Sequence, residues 1–186
     1  MGMHIITPAA QVIETSVLRA HVNVDPVEGD THPDDDLLIG YLAAAVQHAQ
    51  HYTGRAIGEQ VVELALDRFP CGAVLLELEP VIAISSVSYL DAGLVLRTVE
   101  PSAYTVDLYS VKKWLLPAVE TTWPTAGGAA NAVKVRYVAG DLPASVRAAL
   151  LLHVGLLYRS RDGDSQVAER TMKAVEALLD PVKVWG

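Results

Sequence analysis

Apolar residues in the stretch 34–55, DDDLLIGYLAAAVQHAQHYTGR, recur at the period of a helix. Leu38, Tyr41, Leu42, Ala45, Ala49 and Tyr52 follow one another at spacings of three and four, which lines them along one stripe. Asp34, Asp35 and Asp36 supply a cap and negative charge where the first backbone N–H groups lack partners. Gly54 ends the run, since glycine takes the left-handed cap cheaply. Ala43, Ala44 and Ala45 allow a second helix to approach closely. Leu37, Ile39 and Val46 form a weaker second stripe. The pattern therefore fits a central core helix, and also a core helix that meets a neighbouring subunit along its second stripe.

Residues 141–160, DLPASVRAALLLHVGLLYRS, predict a second long helix with Pro143 in its first turn. Val146, Ala149, Leu150, His153, Val154 and Leu157 share one face, while Leu151, Leu152, Leu156 and Tyr158 carry apolar matter onto others. A helix apolar nearly all round is buried on several sides, between other elements or between subunits. A shorter helix is expected over 168–179, stopped by Pro181, and Trp185 follows in the tail. Near the start, residues 4–14 read as an extended arm, with Thr15 as N-cap of a short helix through about His21.

Between the long helices the period changes to two. Residues 60–68 alternate, with Val62, Leu64 and Leu66 on one side and Glu63, Ala65 and Asp67 on the other. Further strand signals lie at 74–78, 84–90, 94–99, 104–108, 111–116 and 132–139. Asp91-Ala92-Gly93 is a hairpin signal, with Gly93 expected at the position that needs positive φ. Residues 117–131 carry the weakest signal. The resulting expectation is an α+β fold: a helical bundle of two long helices plus short N- and C-terminal helices, with an antiparallel β-rich insert. The helical core would comprise 1–59 and 140–186, with 60–139 packed on it as the insert.

Composition narrows the function. The chain has 186 residues, 51% of them hydrophobic, so a sizeable core is available. Its net charge of −8 argues against gripping a phosphate backbone as the main task. The single cysteine, Cys71, provides neither a disulfide framework nor a thiolate cluster. The opening MGMHIITPAA lacks the basic flank and apolar run of a secretory signal, and a protein of a reducing interior is the expectation. His48 and His51 stand three apart on the first long helix, but their face points away from the main stripe, toward solvent or a subunit contact. His153 reads as an interior, hydrogen-bonded histidine. Asp91, Glu100 and Asp107 fall at turns or strand ends, where acids are solvated, and nothing sets two of them across a cleft. The sequence contains no G-x-S-x-G, H-E-x-x-H or phosphate loop. No enzyme activity, cofactor or metal is expected. Trp114 and Trp123 suit a core role or a partner contact.

The order of these features resembles the tailed-bacteriophage head–tail connector family, in a longer form with a strand-rich insert. The resemblance is carried by residues 15–25, by Asp35-Asp36-Leu37-Leu38-Ile39 through Tyr52-Thr53-Gly54-Arg55, by 80–89, by Pro101-Ser102-Ala103-Tyr104, by Trp123-Pro124, by 135–140, by 143–161 and by Leu178-Leu179. No single motif is diagnostic; their order and spacing together are fairly specific. The Val184-Trp185-Gly186 tail departs from the short basic ending of the pattern. The resemblance implies a structural head-completion or adaptor protein of the virion neck, assembled in the host cytoplasm. It implies a ring of about a dozen copies that bridges the capsid portal to a neck or tail-completion protein, with DNA passing through without sequence-specific binding. A prophage-encoded binding module or accessory protein without a connector role is the alternative reading. Because ring subunits need a face for each neighbour, Leu37, Ile39, Val46, Leu156 and Trp185 are the expected subunit contacts.

Overall fold

The computed structural model describes residues 2–24, 31–110, 112–159 and 165–184. Residues 25–30 and 160–164 and Trp185 fall outside the described residues. Among those described are four α-helices and eight strands, the strands forming a five-stranded and a three-stranded antiparallel sheet. This β-rich fold overturns the expected bundle of two long helices with a β insert. One reason is β1 (Gly2–Thr7), which pairs antiparallel with β2 (Gln60–Leu66). The sheet therefore begins at the start of the chain, where the sequence pattern suggested only an arm. The other reason is helix length. α2 (Asp35–Thr53), α3 (Ala144–Arg159) and α4 (Ser165–Leu179) run to 19, 16 and 15 residues, so no pair dominates.

Packing divides the chain into two units, Met1–Ala9 with Glu59–Gly140, and Ala10–Gly58 with Asp141–Gly186. In the first unit the large sheet has the order β1-β2-β8-β4-β5. β8 (Val133–Ala139) pairs with β2 on one side and β4 (Val81–Leu90) on the other, and β5 (Leu96–Thr98) closes the far edge. Alternation along β8 buries Val133, Val135, Tyr137 and Ala139, and Val62 and Leu64 of β2 stand opposite Tyr137 and Val135. Each fully buried Val or Leu of this kind stabilises the fold by roughly 1.5–3 kcal/mol. The Tyr137 hydroxyl accepts the Leu78 N–H at 3.2 Å, so its polar end is satisfied inside the unit. Glu63, on the other face of β2, is held between Lys134 and Arg136 at 3.2 and 2.6 Å. The small sheet has the order β3-β7-β6, from Val74–Leu76, Lys113–Pro117 and Tyr104–Asp107, and buries Val74, Leu76 and Leu115.

The β4–β5 turn forms differently from the sequence expectation. Leu94, not Gly93, has the positive φ, at 61°. Asp91 holds the turn by accepting N–H bonds from Gly93 and Val95 at 2.9 and 3.0 Å, and Arg97 pairs with its other oxygen at 2.9 Å. The Arg97 guanidinium, helped by these N–H groups, keeps the Asp91 carboxyl below its ordinary range. Gly127 seats against this turn and donates its N–H to the Leu90 carbonyl at 2.7 Å.

In the second unit α1 (Thr15–Val22), α2, α3 and α4 share a core that includes Leu18, Leu38, Leu42, Ala45, Ala49, Val146, Leu150, Val154, Val175 and Leu179. The main stripe of α2 thus packs inward as its spacing requires. Glu14 rather than Thr15 occupies the N-cap position of α1. Gly54 ends α2 with φ 70° and donates its N–H to Gln50 O at 2.9 Å. Gly155 permits close packing of α3 against α1, since a Cβ there would stand 3.1 Å from His21 Nε2.

Gly127 and Gly128 allow a matched test. A Cβ at Gly127 would lie 2.5 Å from the Asp91 carbonyl oxygen, whereas one at Gly128 meets nothing within 4 Å. Gly127→Ala should lower unfolding stability by about 1–3 kcal/mol through overpacking, with Gly128→Ala much milder, as read by chemical denaturation. Equal effects would show that the turn yields to the methyl group.

Candidate interaction surfaces

Two polar networks fix the ends of α2. At its start the Arg19 guanidinium pairs with Asp35, with Nε donating to Oδ1 at 2.6 Å, and the His32 N–H donates to Oδ2 at 2.8 Å. The Tyr158 hydroxyl reaches from α3 to Asp34 Oδ2 at 2.6 Å. Arg19 holds the Asp35 carboxyl below its ordinary value; burial opposes this, and the His32 N–H adds to it. At the other end the Tyr52 hydroxyl donates to Asp180 Oδ1 at 2.7 Å, and Lys183 Nζ lies 4.1 Å from the Tyr52 ring centre. That carboxylate, with burial second, pushes the Tyr52 phenol up to about 12.

His48 differs from its expected outward position. It is half-buried, with its ring centre 5.0 Å from that of His153 and 6.2 Å from that of Tyr52. His153 is buried as expected. Burial first, and His48 second, push its imidazole below the ordinary value and favour the neutral form. His51 remains exposed.

None of these groups is arranged for covalent chemistry. Among the described residues no hydrogen bond joins a serine or cysteine to a histidine, and no group of three His, Cys, Asp or Glu is placed to hold a metal. A surface cleft of about 880 Å³ in the strand unit is lined by Leu66, Arg68, Phe69, Pro70, Cys71, Ala73, Val74, Leu75, Glu77 and Trp114. Phe69 beside it stacks on Trp123 at 4.8 Å, and Trp123 Nε1 donates to Gly72 O at 2.7 Å. Trp123 therefore has a partner within its own unit. The cleft offers apolar shape rather than an acid–base pair.

Of the expected contact residues, Ile39 is 38% exposed on α2. Leu37 and Leu156 are half-buried. Val46 packs against the core of its unit. Trp185 lies outside the described residues. The strand unit carries more: Met3, Ile5 and Ile6 on β1, Leu94, Val95 and Leu96 at the β4–β5 hairpin, and Leu108 and Tyr109 at the β6–β7 hairpin are all exposed.

No family model matches the sequence, and no curated protein does. Solved structures do match, over the whole chain. A chain in the neck of an empty gene transfer agent particle, computed with C6 symmetry, superposes with a TM-score of 0.82 at 19% identity, covering 100% of this chain and 97% of that one. A chain of the native gene transfer agent virion gives 0.78 at 20%, and one in the native neck computed with C12 symmetry gives 0.76 at 20%, both with the same coverage. This chain shares the fold of gene transfer agent neck chains.

The exposed edges of that fold escaped the sequence pattern. Residues 4–14 read only as an extended arm, because the adjacent Ile5 and Ile6 break any alternation and too short a run remains to reveal a strand whose partner lies far along the chain. In the hairpin, Leu94, Val95 and Leu96 are consecutive and apolar, and periodicity alone assigns such a run to the interior.

Asp35 gives a pH-dependent test. Its folded pKa is depressed, so its contribution to stability is present above the unfolded value of about 4 and is lost as pH falls through the lower folded value. Asp35→Asn should remove that part of the acid dependence below pH ~4 and leave the slope near neutrality unchanged. Denaturation series at stepped pH would show this. An unchanged acid slope would mean that Arg19 and Asp35 are not paired in solution.

Proposed function

We propose that this chain is a structural, non-catalytic subunit of the neck of a phage-like particle, working as a head–tail connector. The observation that carries the proposal is the end-to-end structural match with gene transfer agent neck chains computed with C6 and C12 symmetry. Rotational symmetry of that kind requires each copy to present two different faces, one to each neighbour. The finer reading is a ring of about a dozen copies that joins the capsid portal to the next neck or tail protein, with DNA passing through it. The net charge of −8 suits a conduit that does not hold DNA, because like charge lowers affinity for phosphate.

In this reading Leu37, Ile39 and Leu156 contribute to subunit contacts of the helical unit. Val46 is a poorer probe, since it packs on its own core and a polar group there would perturb the protomer. Domain roles follow the two packing units: the helical one as connector core, the strand-rich one as its appended module.

Co-expression with the cognate portal, purification through a tag on the portal and electron microscopy of the product test the function. The expected result is a ring of this chain bound to the portal. A chain that stays monomeric beside an assembled portal would overturn the reading. Ile39→Lys should lower recovery on the portal several-fold while leaving the far-ultraviolet circular dichroism and melting temperature unchanged. Undiminished recovery removes Ile39 from the interface.

A further inference from the structure

We infer that the two open edges of the five-stranded sheet meet between copies of this chain, the β1 edge of one subunit against the β5 hairpin of the next. The inference rests on the ring reading above and assigns it a surface.

β1 is an unusual edge. It is the outermost strand, paired only with β2. Its sequence, GMHIIT, contains no proline, lysine or acidic residue, and five of its six positions are exposed. Met3, Ile5 and Ile6 are 38, 47 and 48% exposed. Folded proteins blunt their sheet edges with charge, proline, short strands or a covering element, because unpaired N–H and C=O groups template another strand. A pairing irregularity between Ile5 and Thr7 is the only such device on β1. A six-residue uncharged apolar edge of this kind requires a cover.

The opposite edge supplies one. β5 is exposed at all three positions, and the turn leading into it leaves Leu94, Val95 and Leu96 50–64% exposed. The two edges lie at opposite ends of one sheet, so joining them is a head-to-tail contact, which a suitable rotation closes into a ring. Their charges are compatible. β1 carries no charge beyond what His4 can bear, and the Arg97 charge on β5 is already paired with Asp91, so contact brings no like charges together. A single foreign partner would cover one edge and leave the other bare, whereas a closed ring of copies covers both on every subunit. Backbone pairing would supply affinity and the alternating side chains specificity, as in strand addition generally.

The test uses the portal-bound assembly of the full chain. Amide hydrogen exchange of residues 2–7 and 94–98 should slow at least tenfold in the assembly relative to the free chain. Ile5→Lys and Leu96→Lys should each reduce ring formation at least tenfold with circular dichroism unchanged, and Ile5→Lys combined with Leu96→Glu should recover part of it. Rings that form with unprotected edges, or that accept folded Ile5→Lys subunits at the wild-type level, overturn this inference and leave the neck reading standing. If the wild-type chain forms no ring with the portal, both fall together.

Discussion

The helical unit is discontinuous in sequence, and a single parallel backbone bridge ties its two segments where the chain leaves and returns. Ile57 and Asp141 form an isolated parallel bridge at the points where the chain leaves that unit and returns to it. Gly58 donates its N–H to Asp141 O at 2.9 Å, and Arg55 pairs with the Asp141 carboxylate at 3.2 Å. Gly58 and Gly140, next to the two crossings, have φ values of 74 and 125°, a region closed to most L residues. Residues 59–140 thus leave the helical unit and return to it at points held side by side, and the entropy of closing so long a loop grows only slowly with its length.

This arrangement is compatible with the proposed connector role. The buried polar groups serve architecture: Arg19 with Asp35, Tyr158 with Asp34, and Glu63 between two cations. Removing one partner of such a pair leaves a buried charge exposed to its full desolvation cost, so they specify geometry more than they add net stability. What the described surface offers to other molecules is exposed apolar matter at sheet edges, hairpin tips and one face of α2.

Local features were legible in the sequence, and long-range ones were not. The α2 stripe and its Gly54 stop could be read because helix period and a glycine C-cap involve neighbours within a few residues, whereas Asp34 holds the N-cap position without a side-chain cap bond and accepts from Tyr158 instead. The same holds for the buried face of α3, including His153. The place of β1 could not be read, because strand pairing is a relation between distant segments and six residues of weak alternation do not reveal it. That omission made the sheet look like an insert and the helices like the whole body. His48 was misplaced for a related reason: its ring meets His153 of α3, a contact between residues distant in sequence. At the hairpin, Asp91 hydrogen bonds set the turn and shifted the positive φ from Gly93 to Leu94, a balance that the Asp-Ala-Gly signal does not encode.

The most direct measurement is a reconstruction of the particle produced by the strain that encodes this chain, at a resolution where side chains can be traced. The account predicts density for this chain in a rotationally symmetric ring at the neck, between the capsid portal and the tail. Particles whose neck contains no copy of the chain, or in which it lies elsewhere, would contradict the account.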